Sequence, residues 1–387
     1  MSQRADVVII GGGIVGAACA YYLTAAGLVV HLLERHFPAS GTSRACDSLI
    51  LLWDKSPGPE LALGQASAAL WAELAETLAD DFEYARPGTL MLAENEAALA
   101  AGRAKAAALS AAGVRAEVVD EVGLPALEPN LAPDLAGGVF FPDDAQVDAR
   151  RATLALLAAA RRQGLMLHDQ AEVTAIRLLR TPAGQVSGVV TRAGEIATER
   201  VVCAAGVWSN QVAGLVGLEL PVRPRQGQVL VTTKVPGLIR HPLLEGGYVT
   251  TVQSAEEGLQ AALVAELTAS GTLLLGSSRQ FAGFDRSVSL AVVQAIAGRA
   301  VRFLPALAKV GLIRSYAGLR PWSPDHLPLI GPVEAVPGFY LATGHEGAGI
   351  CLAPITGQLI AALIIGSDEP IALTGAVKPD RFDLVAN

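Results

Sequence analysis

The opening stretch through Glu34 confines the chain to a narrow set of folds. Residues 6–10 are a short β-branched run ended by Gly11-Gly12-Gly13, which reads as a buried strand. A helical stretch follows over 14–26, and Gly27 stands where a helix C-cap glycine belongs. Residues 28–33 form a second strand. Gly11-x-Gly13-x-x-Gly16 thus lies between a strand and a helix inside a βαβ unit, the context in which this spacing signals a dinucleotide. Gly11 permits the tight turn, Gly13 lets the backbone approach a pyrophosphate, and Gly16 lets the helix pack against the strand. The helix N-terminus offers N–H donors and positive dipole to the phosphates. Glu34 ends the second strand, where a carboxylate accepts from both ribose hydroxyls and repels a 2′-phosphate, so NADP is disfavoured. The fingerprint alone does not separate FAD from NAD.

The 387 residues favour two domains or one large one. Hydrophobic residues make up 51% and charged residues 17%, which implies a large buried core and excludes bulk disorder. The formal charge of −8 gives no basic footprint for nucleic acid and makes an anionic membrane surface a poor partner. The mean hydropathy of +0.41 raises the question of a membrane span. A span needs about 18 consecutive apolar residues, and the candidate run at 359–365 is too short. The first strand-like run begins at Val7, so no signal peptide is expected. Cys19, Cys46, Cys203 and Cys351 form no CxxC pair, and the histidines show no ligand spacing, so no metal is expected. Scattered thiols fit a reducing cytoplasm.

Helices are expected over 59–79, with Trp71 on the apolar face, and over 97–112, 150–163, 290–303 and 354–365. Strands are expected over 88–92, 138–141, 227–233, 248–252, 272–277 and 338–343. Three strands at 171–178, 185–191 and 196–204, separated by turns at 181–184 and 192–194, read as a β-meander. Residues 253–270 read as a polar, alanine-rich insertion between two strands.

Four segments carry a family resemblance. They are the fingerprint through Glu34-Arg35, the loop Gly41-Thr42-Ser43-Arg44, the run Val201 to Trp208, and the stretch from Gly318-Leu319-Arg320-Pro321 through Pro324-Asp325 and Gly331-Pro332 to Gly344-His345-Glu346-Gly347-Ala348-Gly349-Ile350. In their order and spacing the chain resembles the D-amino-acid-oxidase-like flavoproteins, the superfamily of glycine oxidase and sarcosine oxidase. The Gly344–Gly349 segment and Leu273 to Arg279 are most similar to the catalytic β subunits of opine oxidase, D-hydroxyproline dehydrogenase and hydrogen cyanide synthase.

The resemblance implies an α/β fold: a discontinuous Rossmann-like FAD domain of the glutathione-reductase kind (1–80, 145–220 and 315–387), and an α+β substrate domain with a mixed or antiparallel sheet (81–144 and 221–314). It implies FAD held by Gly11, Gly13, Ile14, Val15 and Gly16, by Glu34 and Arg35, and by Thr42, Ser43 and Arg44. Val173, Ala205, Gly206 and Trp208 join them, as do Gly318, Gly344, Glu346, Gly347, Ala348, Gly349 and Ile350. Arg320 would hold a substrate carboxylate, since a guanidinium binds one bidentately and stays charged. Tyr248 would close over the substrate, and His345 would stand at the flavin edge.

Two departures matter. Glycine oxidase has an arginine where this chain has Gly347, which implies a pocket more open to a bulky amine substituent. Monomeric sarcosine oxidases have a flavin-linked cysteine where this chain has Gly318, so noncovalent FAD is expected. Cys46 and Cys351 are expected to be packing residues. The implied reaction is oxidation of an amino acid or N-substituted amino acid to an imine that hydrolyses. Electrons would go to O₂ in a stand-alone oxidase, or to an electron-accepting partner subunit in a dehydrogenase complex. Three alternatives remain on sequence: 2-hydroxy-acid oxidation, a non-catalytic FAD-binding subunit, and an NAD-dependent dehydrogenase.

Overall fold

The computed structural model describes residues 3–180, 184–249, 254, 256–367 and 371–384. The expected N-terminal unit is present: Val7–Ile10, the helix Ile14–Ala25 and Val30–Leu33. These strands sit inside a six-stranded sheet ordered Leu329–Pro332, Phe339–Thr343, Val201–Cys203, Val7–Ile10, Val30–Leu33, Met166–His168. Pairing is parallel throughout, apart from the antiparallel edge hairpin of Leu329–Pro332 with Phe339–Thr343. Side-chain alternation explains why Val7–Ile10 is apolar at every position. Val7 and Ile9 pack with the helices Ile14–Ala25, Ala149–Arg162 and Gly349–Ile365, while Val8 and Ile10 pack toward a four-stranded sheet on the opposite face.

That four-stranded sheet is the expected meander with one correction. The third strand splits: Gly194–Ala197 stays in the meander, and Val201–Cys203 crosses into the parallel sheet. Thr198 makes the break, its Oγ1 accepting from the Arg200 N–H at 3.2 Å. The expected turn at 181–184 lies, apart from Gly184, outside the described residues.

The second large sheet has eight strands, ordered Leu312–Trp322, Arg223–Lys234, Thr272–Arg279, Gln260–Leu267, Leu243–Glu245, Thr89–Ala93, Gly137–Phe141, Glu117–Asp120. It is mixed: Leu243–Glu245 runs parallel to Thr89–Ala93, and the other pairs are antiparallel. The helix Leu290–Phe303, found as expected, packs on one face, and the helix Glu96–Ala111 packs on the other.

Three expectations are corrected here. The supposed insertion contains Gln260–Leu267, a central strand with Ala262 to Ala265 buried. Its alanines have weak strand propensity, but pairing on both sides overrides it. Tyr248 and Val249 are helical rather than extended, and 250–252 lie outside the described residues. The C-terminal helix begins at Gly349, so Pro354 lies inside it. With the preceding turn, 346–365 is long and apolar enough to span a membrane by length and composition, yet most of it is buried within the fold against Ile14–Ala25.

Candidate active site

Three neighbouring strands of the parallel sheet end at one place. Gly11 follows Ile10, Ala204 follows Cys203, and Gly344 follows Thr343. Ligands of open α/β sheets bind beyond such carboxyl ends. A long cleft opens there, with about 1730 Å³ of empty space counted out to its mouth. Gly11, Gly13, Ile14, Val15, Glu34, Arg35, Thr42 and Ser43 line it from the N-terminal part of the chain. Val173, Ala205, Gly206, Trp208, Arg320, His345, Glu346, Gly347, Gly349 and Ile350 complete the expected set found in its wall.

The cradle shows why these residue types occur. Gly11 has φ +114°, and a Cβ on it would meet the Ala204 carbonyl oxygen at 2.4 Å. A Cβ on Gly16 would lie 2.0 Å from the Gly11 carbonyl oxygen, so Gly16 serves close packing from behind the wall rather than lining it. The helix Ile14–Ala25 has no side-chain cap from Gly13; instead Ser43 Oγ accepts from the Ile14 N–H at 2.9 Å. Glu34 accepts from the Gly12 N–H at 2.8 Å and from the His36 N–H at 2.9 Å, which fixes its carboxylate at the cleft edge. Arg35 stacks on Trp208, its guanidinium carbon 4.1 Å from the ring centre. Gly349–Ile365 brings its uncapped N-terminus to the same cleft, so two helix dipoles point their positive ends into it.

Several expected residues lie elsewhere. Arg44 and Gly318 face a neighbouring cleft, and Gly344 (φ +77°) turns the chain against Leu329. Ala348 and Tyr248 line a small cavity beyond Gly347, together with Asp47, Asp54 and Lys55. Tyr248 is buried there under Arg279, whose guanidinium carbon is 4.7 Å from its ring centre, so it packs on a cation rather than lining the large cleft.

Arg320 is set by strand register. It pairs with Arg225 across the sheet, and Gly318 pairs with Gly227. Its Nη1 donates to the Ser278 carbonyl at 2.9 Å and lies so close over Gly227 that a Cβ there would be 2.1 Å away. Sequence reasoning missed the two arginines behind it. Arg225 Nη1 lies 3.4 Å and Arg279 Nε 3.6 Å from Glu346 Oε1, and all three side chains are buried. Burial pushes the Glu346 carboxyl up, but the guanidiniums of Arg279, Arg320 and Arg225 outweigh it and hold the group below its ordinary value. Burial brings the Arg225 guanidinium down to about 10 against the pull of Glu346. Glu346 has φ +47° and accepts from the Gly347 N–H at 2.8 Å, so its carboxylate closes on its own turn. Such backbone persists where surrounding contacts over-determine it.

His345 is buried and its Nε2 lies 2.9 Å from Thr356 Oγ1. Burial lowers its pKa to about 3, so the imidazole is neutral near pH 7. The Cys46 thiol, in the cleft wall, is pushed up by burial and stays protonated. Cys351 is buried, donates to the Leu51 carbonyl, and is pushed up to about 12 by burial.

The comparisons with known proteins agree with this geometry. The model of a family described as DAO, FAD-dependent oxidoreductase, matches residues 6–363. The chain belongs to that family. It is 30% identical to glycine oxidase of Geobacillus kaustophilus, covering 94% of each chain. It is 28% identical to hydrogen cyanide synthase subunit HcnC of Pseudomonas protegens, covering 97% of this chain and 95% of that one. The crystal structure of glycine oxidase from Geobacillus kaustophilus superposes with a TM-score of 0.88 at 27% identity, over 99% of this chain and 100% of that one. This member of the family is an FAD-dependent amine or amino-acid oxidoreductase. The residues fit the cofactor: the glycine cradle, the Glu34 carboxylate and the two helix N-termini all face one cleft.

Proposed function

We propose that the protein oxidises an amino acid or N-substituted amino acid, with Arg320 anchoring the substrate carboxylate. The observation that carries this reading is the division of labour among three arginines. Arg225 and Arg279 are buried against Glu346, and Arg320 is the one that lines the cleft. A planar guanidinium fixed by Ser278 and Gly227 orients a carboxylate, and orientation is the main service a protein gives to this chemistry.

FAD, when bound, supplies the two-electron acceptor for the C–H bond next to the amine. The chain's residues do the rest. Arg320 fixes the substrate's acid end. Neutral His345 and protonated Cys46 add no charge beside the substrate, and an amine bound as its free base needs no strong general base from the chain. Gly347 leaves open space, since nothing lies within 4 Å of a Cβ built there, and an N-substituent fits on that side. The imine then hydrolyses to a carbonyl compound and an amine. FAD is held noncovalently, because a Cβ at Gly318 would lie 2.3 Å from the Ala45 carbonyl oxygen and leaves no room for a cysteine. The proposed boundary at 315 falls within Leu312–Trp322, a strand of the eight-stranded sheet, so Arg320 stands on the sheet that otherwise makes up the proposed substrate domain.

The likeness to a hydrogen cyanide synthase subunit favours a partner as electron acceptor, and the likeness to glycine oxidase favours O₂. The test is anaerobic addition of D-, L- and N-substituted amino acids and of 2-hydroxy acids to the FAD-loaded protein. Loss of flavin colour with an amino acid supports the proposal, and loss with hydroxy acids alone overturns it. Admitting air then decides the acceptor: slow recovery of colour indicates a partner, and fast recovery an oxidase.

A further inference from the structure

A second cleft adjoins the first and shares Ser40, Gly41, Thr42, Trp208 and Arg286 with it. Arg44, Arg150, Arg286 and Arg314 line it, and no aspartate or glutamate does. None of these four guanidiniums has a carboxylate within ion-pair distance among the described residues, whereas Arg151, next to Arg150, pairs with Glu83. Four solvent-exposed guanidiniums thus gather around one hollow in a chain of net charge −8. Like charges held together cost energy that a bound anion removes.

We propose that this second cleft binds a phosphate-bearing small molecule. Arg314 and Tyr316 lie two residues apart on Leu312–Trp322 and so share the face that meets the cleft. Burial, reinforced by Cys46, Asp47 and Glu266, raises the Tyr316 hydroxyl's pKa, so it remains an O–H donor at neutral pH. Guanidinium forks match phosphate oxygens two at a time. The hollow, about 180 Å³, has room beyond a bare phosphate, and Tyr316 and Trp208 stand in its wall beside the space for an organic group. The overall charge of −8 disfavours a long polyanion.

The experiment is calorimetric titration of the FAD-loaded protein, with pyrophosphate and adenosine 5′-monophosphate as probes. It reads binding, not turnover, so it succeeds or fails independently of the amine reaction. The wild type should bind one equivalent of probe. The double variant Arg150→Gln/Arg314→Gln, whose positions line only the second cleft, should bind at least about tenfold more weakly. Its flavin content and thermal midpoint report that it folds, and Arg150→Gln alone provides a milder variant. Arg103→Gln, on the helix Glu96–Ala111, should bind as the wild type does. Tighter binding of the monophosphate assigns the cleft to an organic phosphate, and tighter binding of pyrophosphate assigns it to an inorganic one. No saturable binding of either probe, or equal binding by the double variant, overturns the proposal.

Discussion

Arg320 depends on a residue that bears no side chain. Gly227 on the adjoining strand leaves the space its guanidinium occupies, and Gly227→Ala would place a methyl group 2.1 Å from Nη1. Neither strand backbone can yield inside a paired sheet, so the guanidinium must move. Gly227→Ala should lower kcat/KM about 100-fold while flavin content stays at the wild-type level, because misplacing an orienting group by about 1 Å has that effect. Steady-state kinetics on the loaded variant checks this, and wild-type kcat/KM would refute it. Gly318 makes a second prediction. Acid precipitation should release all the flavin into the supernatant, and flavin retained in the pellet would contradict noncovalent binding. Arg320 was legible because Gly318-Leu319-Arg320-Pro321 is a contiguous motif. Arg225 and Arg279 were not, because only strand pairing and a left-handed turn at Glu346 bring them together.

The C-terminal helix shows how an element is started by a distant one. Pro354 lacks an N–H, which leaves the Ile350 carbonyl without its helical donor. Trp71 Nε1 donates to it at 3.0 Å. Ser67 Oγ donates to the Cys351 carbonyl at 2.6 Å and accepts from the Ile355 N–H at 3.3 Å, which bridges the next gap. Pairing across 280 residues is what lets the helix begin five residues before its proline, at the cofactor cleft. The sequence suggests a start at Pro354 because proline favours first-turn positions, and nothing local reveals the donors on Pro59–Thr77. Trp71→Phe keeps the ring and strands a buried acceptor. It should destabilise the fold by about 1–3 kcal/mol and weaken FAD binding. Urea unfolding and a flavin titration measure both, and an unchanged urea midpoint would show that the carbonyl needs no partner.

At the scale of the whole molecule, buried acids make stability depend on pH. Burial raises Asp144 to about 7 and Glu266 to about 8. Asp144 takes hydrogen bonds from Thr89 and Leu52, and Glu266 takes one from Ser48. Between their ordinary values and these, the native state keeps protons that the unfolded chain has lost. Stability therefore falls as pH rises through that window. His345 acts in the opposite sense. Its native pKa is about 3, so unfolded protein gains a proton below about pH 6.5 and stability falls as pH drops there. The acids thus show alone between about pH 6.5 and 8. With FAD saturating, the urea midpoint should fall across this range, by up to about 1.4 kcal/mol per pH unit for each group still protonated. Glu266→Gln should flatten the fall, and an equal slope in that variant would refute the assignment.

The pairing of Val7–Ile10 with Val30–Leu33 follows from one fingerprint, and most residues of the candidate cleft from motifs spread along the chain. The pairing of Gln260–Leu267 did not follow, since its alanine-rich surface resembles a loop until its neighbours are in place. The central claim joins these two parts of the molecule: a carboxylate-anchoring arginine on one sheet serving a cofactor held by the other. The direct measurement is anaerobic flavin reduction by a secondary amino acid and by the same amine lacking its carboxylate, in the wild type and in Arg320→Gln. The account predicts that the wild type is reduced by the amino acid at least about 100-fold more efficiently than by the amine, and that Arg320→Gln loses most of this preference. Equal reduction by both compounds in the wild type, or an undiminished preference in Arg320→Gln, would contradict it.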